Sequence, residues 1–153
     1  MRKHSTFGRR PLTKAQLLPL PADQVRRLSL KHHLALATLV SGHGDVDAIV
    51  TLSNVLQLAG YLGAGSEVES YRRAEVALDQ CVTRAEQGEP WTLMNAERAA
   101  LGALVAIHDT QLAAVPVHRY LDALERAQQT DAPSLDLSSR SKDKVARAID
   151  GQN

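Results

Sequence analysis

Glycine and proline interrupt this sequence at intervals that suit α-helices. The breaks at 42–44, 63–65, Gly88 and Pro116 separate five segments whose apolar residues recur at helical spacing. Leu and Ala each occur 22 times, whereas Phe, Trp and Tyr together number five. Leu and Ala lose little side-chain entropy in a helix, while strands favour β-branched and aromatic residues. The sequence therefore predicts an all-α fold.

These segments predict a bundle of four or five helices over residues 21–129. The first covers 23–41, as one kinked helix or as two short ones, because Ser29 could cap a fresh start. Asp45 opens the second, which runs to about Leu62 and is apolar on most of its circumference. A helix of that kind is predicted to lie in the centre of the bundle.

The sequence also predicts how the later helices begin and end. Ser66 and Glu69 match a capping box at the start of the third helix, and Gly88 suits its C-terminal end. Thr92 or Asn95 is expected to cap the fourth helix. The inward stripe of the fourth helix is predicted to comprise Leu101, Leu104, Val105, His108, Leu112 and Val115.

Charge is distributed unevenly along the chain. Residues 1–33 hold eight Lys or Arg and one acid, a net charge of +7, whereas the other residues carry a net charge of −6. Residues 1–20 are therefore expected to form a basic arm, and such arms bind phosphate backbones by releasing counterions. The predicted nucleic-acid-binding residues are Arg2, Lys3, Arg9, Arg10 and Lys14.

Other sequence features indicate the compartment in which the protein is expected to work. Residues 130–153 are rich in Ser, Asp and Lys and predict a flexible tail. The basic start lacks a following apolar stretch, so no secretory signal is expected, and no apolar run is long enough to span a membrane. A single cysteine, Cys81, excludes an internal disulfide framework. We therefore expect a cytoplasmic protein with no membrane partner.

The sequence does not favour catalysis or metal binding. His32 and His33 are adjacent, so on a helix they point about 100° apart, and no His-x3-His pair is present. Neither a Gly-x-Ser-x-Gly elbow nor a glycine-rich phosphate loop occurs. Cys81 lies on an apolar helix face and His108 on an inward one, so both are expected to be core residues. We expect no catalytic residue, no metal and no cofactor.

A second possible contact surface lies around Pro116. Trp91 occupies a connector, where it either plugs the bundle end or anchors a partner. The possible partner-contacting residues are Trp91, His108, Asp109, His118 and Arg119.

Residues 1–11 and the motif His-Asp-x-Gln-Leu-Ala-Ala-Val-Pro-x-His-Arg-Tyr at 108–120 resemble a group of short bacterial proteins. Those proteins are carried on mobile or accessory DNA and are labelled Fis-type transcriptional regulators. The resemblance covers most of 1–129 and implies a role in transcription regulation. Fis-type proteins end in a helix-turn-helix, which 130–153 lack, so no base-contacting residues carry over.

The sequence thus predicts a non-enzymatic accessory or regulatory factor that contacts nucleic acid through its arm. The alternative is a protein-interaction module, such as an inhibitor or adaptor from a mobile element, that docks on a host protein. Neither reading specifies an oligomeric state.

Overall fold

The computed structural model describes residues 10–63 and 65–134, which contain six helices and no strand. The helices are α1 (Lys14–Leu17), α2 (Ala22–Val40), α3 (Val46–Leu62), α4 (Val68–Glu86), α5 (Asn95–Ala114) and α6 (Val117–Ser134). Five long helices form the bundle and α1 is a short addition to it. The predicted all-α fold is confirmed.

Helix α3 occupies the centre of the bundle, as its apolar circumference predicts. It packs against α2, α4, α5 and α6. Its side chains at Leu52, Val55 and Ala59 are fully buried and pack with residues of α2, α4 and α5. On another side, Leu58 packs with Ala123 and Ala127 of α6.

The turn between α2 and α3 is closed by a tight contact with the α4–α5 connector. A Cβ atom added at Gly44 would lie 2.7 Å from the Trp91 carbonyl oxygen and would also clash with the Leu39 side chain. Trp91 therefore packs at the end of the bundle, one of the two roles predicted for it. Asp45 caps α3 because its carboxylate accepts from the Ala48 backbone N–H at 2.9 Å.

The predicted capping box of α4 is wrong. Glu67 precedes the first residue of α4 and no side chain caps it. Glu69 forms an ion pair with Arg73 at 3.3 Å instead of reaching back to Ser66. The prediction that Gly88 suits the C-terminal end of α4 is confirmed. Gly88 follows the last turn of the helix with φ +89°, a conformation that favours glycine.

The predicted cap of α5 is also wrong. The helix begins at Asn95 and Met94 precedes it, so neither Thr92 nor Asn95 acts as the cap. The carboxylate of Glu97 accepts from the Met94 backbone N–H at 3.0 Å, which satisfies one donor at the start of the helix.

The segment predicted as an arm is attached to the bundle from Thr13 onward. Thr13 caps α1, and its backbone N–H donates to the Gln16 side chain at 2.8 Å. The Val117 backbone N–H donates to the Leu18 carbonyl at 2.9 Å, and Leu20 is buried. Residues 13–20 therefore form part of the folded unit, against α6.

Helix α6 is longer than the sequence predicted. It continues through residues 130–134, which were assigned to the tail, and the Thr130 hydroxyl lies 2.9 Å from that of Tyr61. The rest of the predicted tail, 135–153, and residues 1–9 of the predicted arm lie outside the described residues.

Replacing Leu78 with Ala tests the packing of α4. Leu78 is 5% exposed and lies between the fully buried Ala74 and Cys81. We expect the free energy of unfolding to fall by about 2–5 kcal/mol in urea titrations, because truncating a buried leucine leaves a cavity. Val76→Ala on the same helix is the control, since Val76 is 48% exposed and should cost less than about 0.5 kcal/mol. A loss below about 1 kcal/mol for Leu78→Ala would contradict the packing.

Candidate functional site

Helix α2 presents two chemically different sides. Its inner side buries His32, Ala35 and Leu39 against the bundle. The outer side carries exposed residues at helical spacing, namely Arg27, Leu30, Lys31 and Leu34. The outer side of α2 thus combines two exposed leucines with two cations.

Among the described helices, only α1 and α2 carry a net positive charge. α1 carries Lys14 and no acid, and α2 carries three Lys or Arg with one acid, Asp23. Each of α3, α4, α5 and α6 carries one more acid than it has Lys or Arg. The charge imbalance of the sequence is therefore also an imbalance between helices.

The predicted nucleic-acid-binding residues lie partly within the described chain. Arg10 and Lys14 are exposed, whereas Arg2, Lys3 and Arg9 lie outside the described residues. The cations that sequence reasoning missed are Arg26, Arg27 and Lys31 of α2. Arg26 pairs with Asp23 at 3.5 Å, but both side chains are highly exposed, so the pair is weak. Within 10–63 and 65–134, no acid pairs with Arg10, Lys14, Arg27 or Lys31.

Two histidines pack together on the inner side of α2. The ring centroids of His32 and His108 are 5.3 Å apart, with His32 6% exposed and His108 fully buried. Burial, and next the charge of His108, lower the pKa of His32 from 6.5 to about 4. Burial also lowers the pKa of His108. Both rings are therefore neutral at pH 7.

Hydrogen bonding fixes the tautomer of His108. The Gln111 side-chain nitrogen donates to the Ala59 carbonyl at 3.0 Å and to the Tyr71 hydroxyl at 3.2 Å. The Gln111 oxygen must then accept from Nδ1 of His108, which lies 3.0 Å away. Nε2 of His108 consequently carries a lone pair, and it is buried without a partner among the described residues, as is Nδ1 of His32.

Asp109 links α5 to α2 at the edge of this cluster. Its carboxylate accepts from the Ser29 hydroxyl at 2.7 Å and pairs with Nε2 of His33, also at 2.7 Å. Ser29 therefore does not cap a new helix, and α2 is continuous. His32 is buried and His33 is exposed, so the prediction that these neighbours face different ways is confirmed.

A buried ion pair joins α4 to α5. Both terminal nitrogens of Arg84 donate to the Glu97 carboxylate, at 2.6 and 2.5 Å, and Glu97 is almost fully buried. Arg84 also donates to the Thr92 carbonyl at 3.1 Å. The pair therefore holds the connector between the two helices as well as the helices themselves.

The residues predicted to contact a partner do not form one surface. His108 has no exposed surface, so it cannot touch a partner, and Trp91 packs at the bundle end. Asp109 is engaged with α2, and Nδ1 of His118 donates to the Gln16 carbonyl at 2.9 Å. Of the five predicted partner-contacting residues, only Arg119 is largely exposed.

The described residues give little support for a reactive thiol, a metal site or a membrane-spanning helix. Cys81 is fully buried, its Sγ lies 3.4 Å from the Thr92 carbonyl, and burial raises the pKa of the thiol. A buried thiol of raised pKa is a poor nucleophile. Among the described residues, no group of three or more His, Cys, Asp or Glu is placed to hold a metal ion. No helix of the described chain is long and apolar enough to cross a membrane.

Sequence signals for the missed residues existed. Glu97 precedes Leu101 by four residues and Leu104 by seven, so it lies on the inward stripe of α5. His32 precedes Ala35 by three and Leu39 by seven, so it lies on the inward stripe of α2. A charged or titratable residue on an inward stripe predicts a buried partner, but it does not identify that partner.

Glu97→Ala should lower the free energy of unfolding by about 3–5 kcal/mol at pH 7, because Arg84 would remain buried and unpaired. Urea denaturation measures the loss. Glu69→Ala is the control, since the Glu69–Arg73 pair is largely exposed and should contribute less than about 0.5 kcal/mol. Equal effects of the two substitutions would contradict the buried pair.

The Arg84–Glu97 pair also predicts part of the loss of folding stability at acidic pH. The hydrogen bond from Arg84 holds the pKa of Glu97 below its usual 4.5, so its stabilisation is complete above pH 4.5. That stabilisation is lost as the pH falls below 4.5 through the folded-state pKa. Glu97→Ala should lack this part of the decline, which denaturation midpoints measured between pH 6 and 2.5 would show.

Comparison of the chain with protein-family models, with curated proteins and with solved structures finds no match. The resemblance to Fis-type regulators therefore stays a prediction.

Proposed function

We propose that this chain is a non-enzymatic binding protein that contacts nucleic acid through basic side chains. These are the cations of the predicted arm, together with those on the outer side of α2. The observation that carries the proposal is that α1 and α2 are the described helices with a net positive charge, and that their exposed Lys14, Arg27 and Lys31 have no acidic partner among the described residues. A regulatory or accessory role in the cytoplasm fits such a surface and the single buried cysteine.

The arrangement of α2 supports contact with a phosphate backbone. Arg27 and Lys31 are four residues apart, so their side chains are neighbours on one face of the helix. Both are exposed, and binding to phosphates would release counterions without breaking an ion pair. Backbone contacts of this kind position a protein on nucleic acid but read no bases, so we propose binding with little sequence preference.

The chemistry of the buried residues supports a non-enzymatic role. His108 and Cys81 are fully buried, and Asp109 is held by two side chains of α2. A general base or nucleophile must reach its substrate, which these groups do not in this arrangement.

Fluorescence anisotropy with duplex and single-stranded oligonucleotides at several salt concentrations tests the proposal. Each phosphate neutralised on duplex DNA contributes about 0.9 to the slope of log affinity against log salt. If all five arm cations contact phosphates, they would give a slope of about −4.5, and Arg27 with Lys31 would add about −1.8. No binding at low salt would contradict the proposal.

Two variants separate the parts of the surface. Deleting 1–12 leaves the Thr13 cap of α1 in place and should reduce the magnitude of the slope by about 3.6. Arg27→Ala with Lys31→Ala should reduce it by about 1.8. The matched control is Arg72→Ala with Arg98→Ala, which removes two exposed arginines from the net-acidic helices α4 and α5 and should leave the slope unchanged.

A protein-interaction module is the second candidate, because one observation favours it. Leu30 and Leu34 are 59% and 55% exposed on the outer side of α2, and a phosphate backbone offers them no apolar contact. With Arg27 and Lys31 beside them, these leucines fit an acidic amphipathic helix of a host protein. Two results together would favour this candidate over the first. The chain would capture a protein from nuclease-treated lysate, and Leu30→Gln with Leu34→Gln would abolish that capture. The unaltered chain would also fail to bind oligonucleotides.

A further inference from the structure

The N-terminal half of α2, residues 22–34, is held to the bundle by few buried side chains. His32 is its only buried residue, and the apolar Val25 and Leu28 are half-buried. Asp109 of α5 accepts from two other side chains of this half. An element that buries so little apolar surface opens at a lower free energy than the core helices.

We propose that the contact between His32 and His108 is a proton-sensitive latch, which holds residues 22–34 on α5 in neutral solution and releases them on acidification. Each ring has a buried nitrogen without a partner among the described residues, so each can accept a proton only by placing a charge in an apolar interface. The released segment exposes both rings to water, where protonation is unopposed. Protons therefore favour the released state.

The surrounding groups do not cancel this effect. On α2, Lys31 adds positive charge beside the latch, as does His33 when protonated. On α5, the Asp109 carboxylate raises the pKa of both rings, but burial outweighs it and leaves both pKa values below 6.5. The same carboxylate already pairs with His33 and accepts from Ser29. On α4, Tyr71 belongs to the same hydrogen-bond network, because its hydroxyl accepts from Gln111, and α3 contributes the Ala59 backbone carbonyl to it.

The expected pH window follows from burial of the rings. Burial and the facing ring lower the pKa of His32 from 6.5 to about 4, so the closed state is fully favoured above pH 6.5 and loses this advantage as the pH falls towards 4. Between pH 7.5 and pH 5 the opening equilibrium should rise about 30-fold for this one ring. The lowered pKa of His108 adds to the change. The acid titration of Glu97 lies below this window.

Native-state hydrogen exchange by NMR on the full chain, without nucleic acid, tests the latch. Protection factors, corrected for the intrinsic pH dependence of exchange, are compared for residues 22–34 and for α3 between pH 7.5 and 5. We expect lower protection in 22–34 than in α3 at every pH, and a fall of about 30-fold or more across the range. Protection in 22–34 that equals that of α3 at every pH, or that does not change with pH, would overturn the proposal.

His32→Leu removes one titrating ring at similar volume and should reduce the pH response of residues 22–34. His43→Gln is the control, because His43 lies exposed in the turn after α2 and should keep the full response. A full response in His32→Leu would overturn the proposal. Titration of the ring protons can be followed by NMR on the unaltered chain, so this test does not depend on a variant that folds. A midpoint near 4 for His32 and one below 6.5 for His108 support the latch, and midpoints near 6.5 overturn it.

Discussion

Burial of α3 is the constraint on which the rest of this structure depends. Its apolar residues surround most of the helix, so it must be enclosed, and α2, α4, α5 and α6 enclose it. Each of those helices can then keep one side polar. The outer side of α2 is free to carry cations because its inner side, with Ala35 and Leu39, already packs into the core around α3.

Local chemistry explains how much of the fold could be predicted from sequence. Breakers such as Gly88 and Pro116 act on their own neighbours, so the division into helices follows from the sequence alone. Caps are different, because a capping side chain has competing partners. Glu69 pairs with Arg73, which lies four residues away on the same helix face, and so the predicted capping box of α4 does not form. The docking of α1 on α6 was missed because it joins residues 102 positions apart.

The site shows the same division between local and distant effects. The charge imbalance that points to α1 and α2 is visible in the sequence, and so is the inward position of His108. The pairing of His32 with His108 and of Arg84 with Glu97 depends on how α2, α4 and α5 cross, which no local pattern reports.

The contact between residues 13–20 and the start of α6 has a consequence for biosynthesis. Residues 13–20 dock on Val117 and His118, so their docking partners are made about a hundred residues later. While the earlier helices emerge from the ribosome, α1 has nothing to dock on, since nascent chains form local structure before distant contacts. Residues 13–20, with Lys14, therefore stay undocked during synthesis and join the bundle only when α6 has been made.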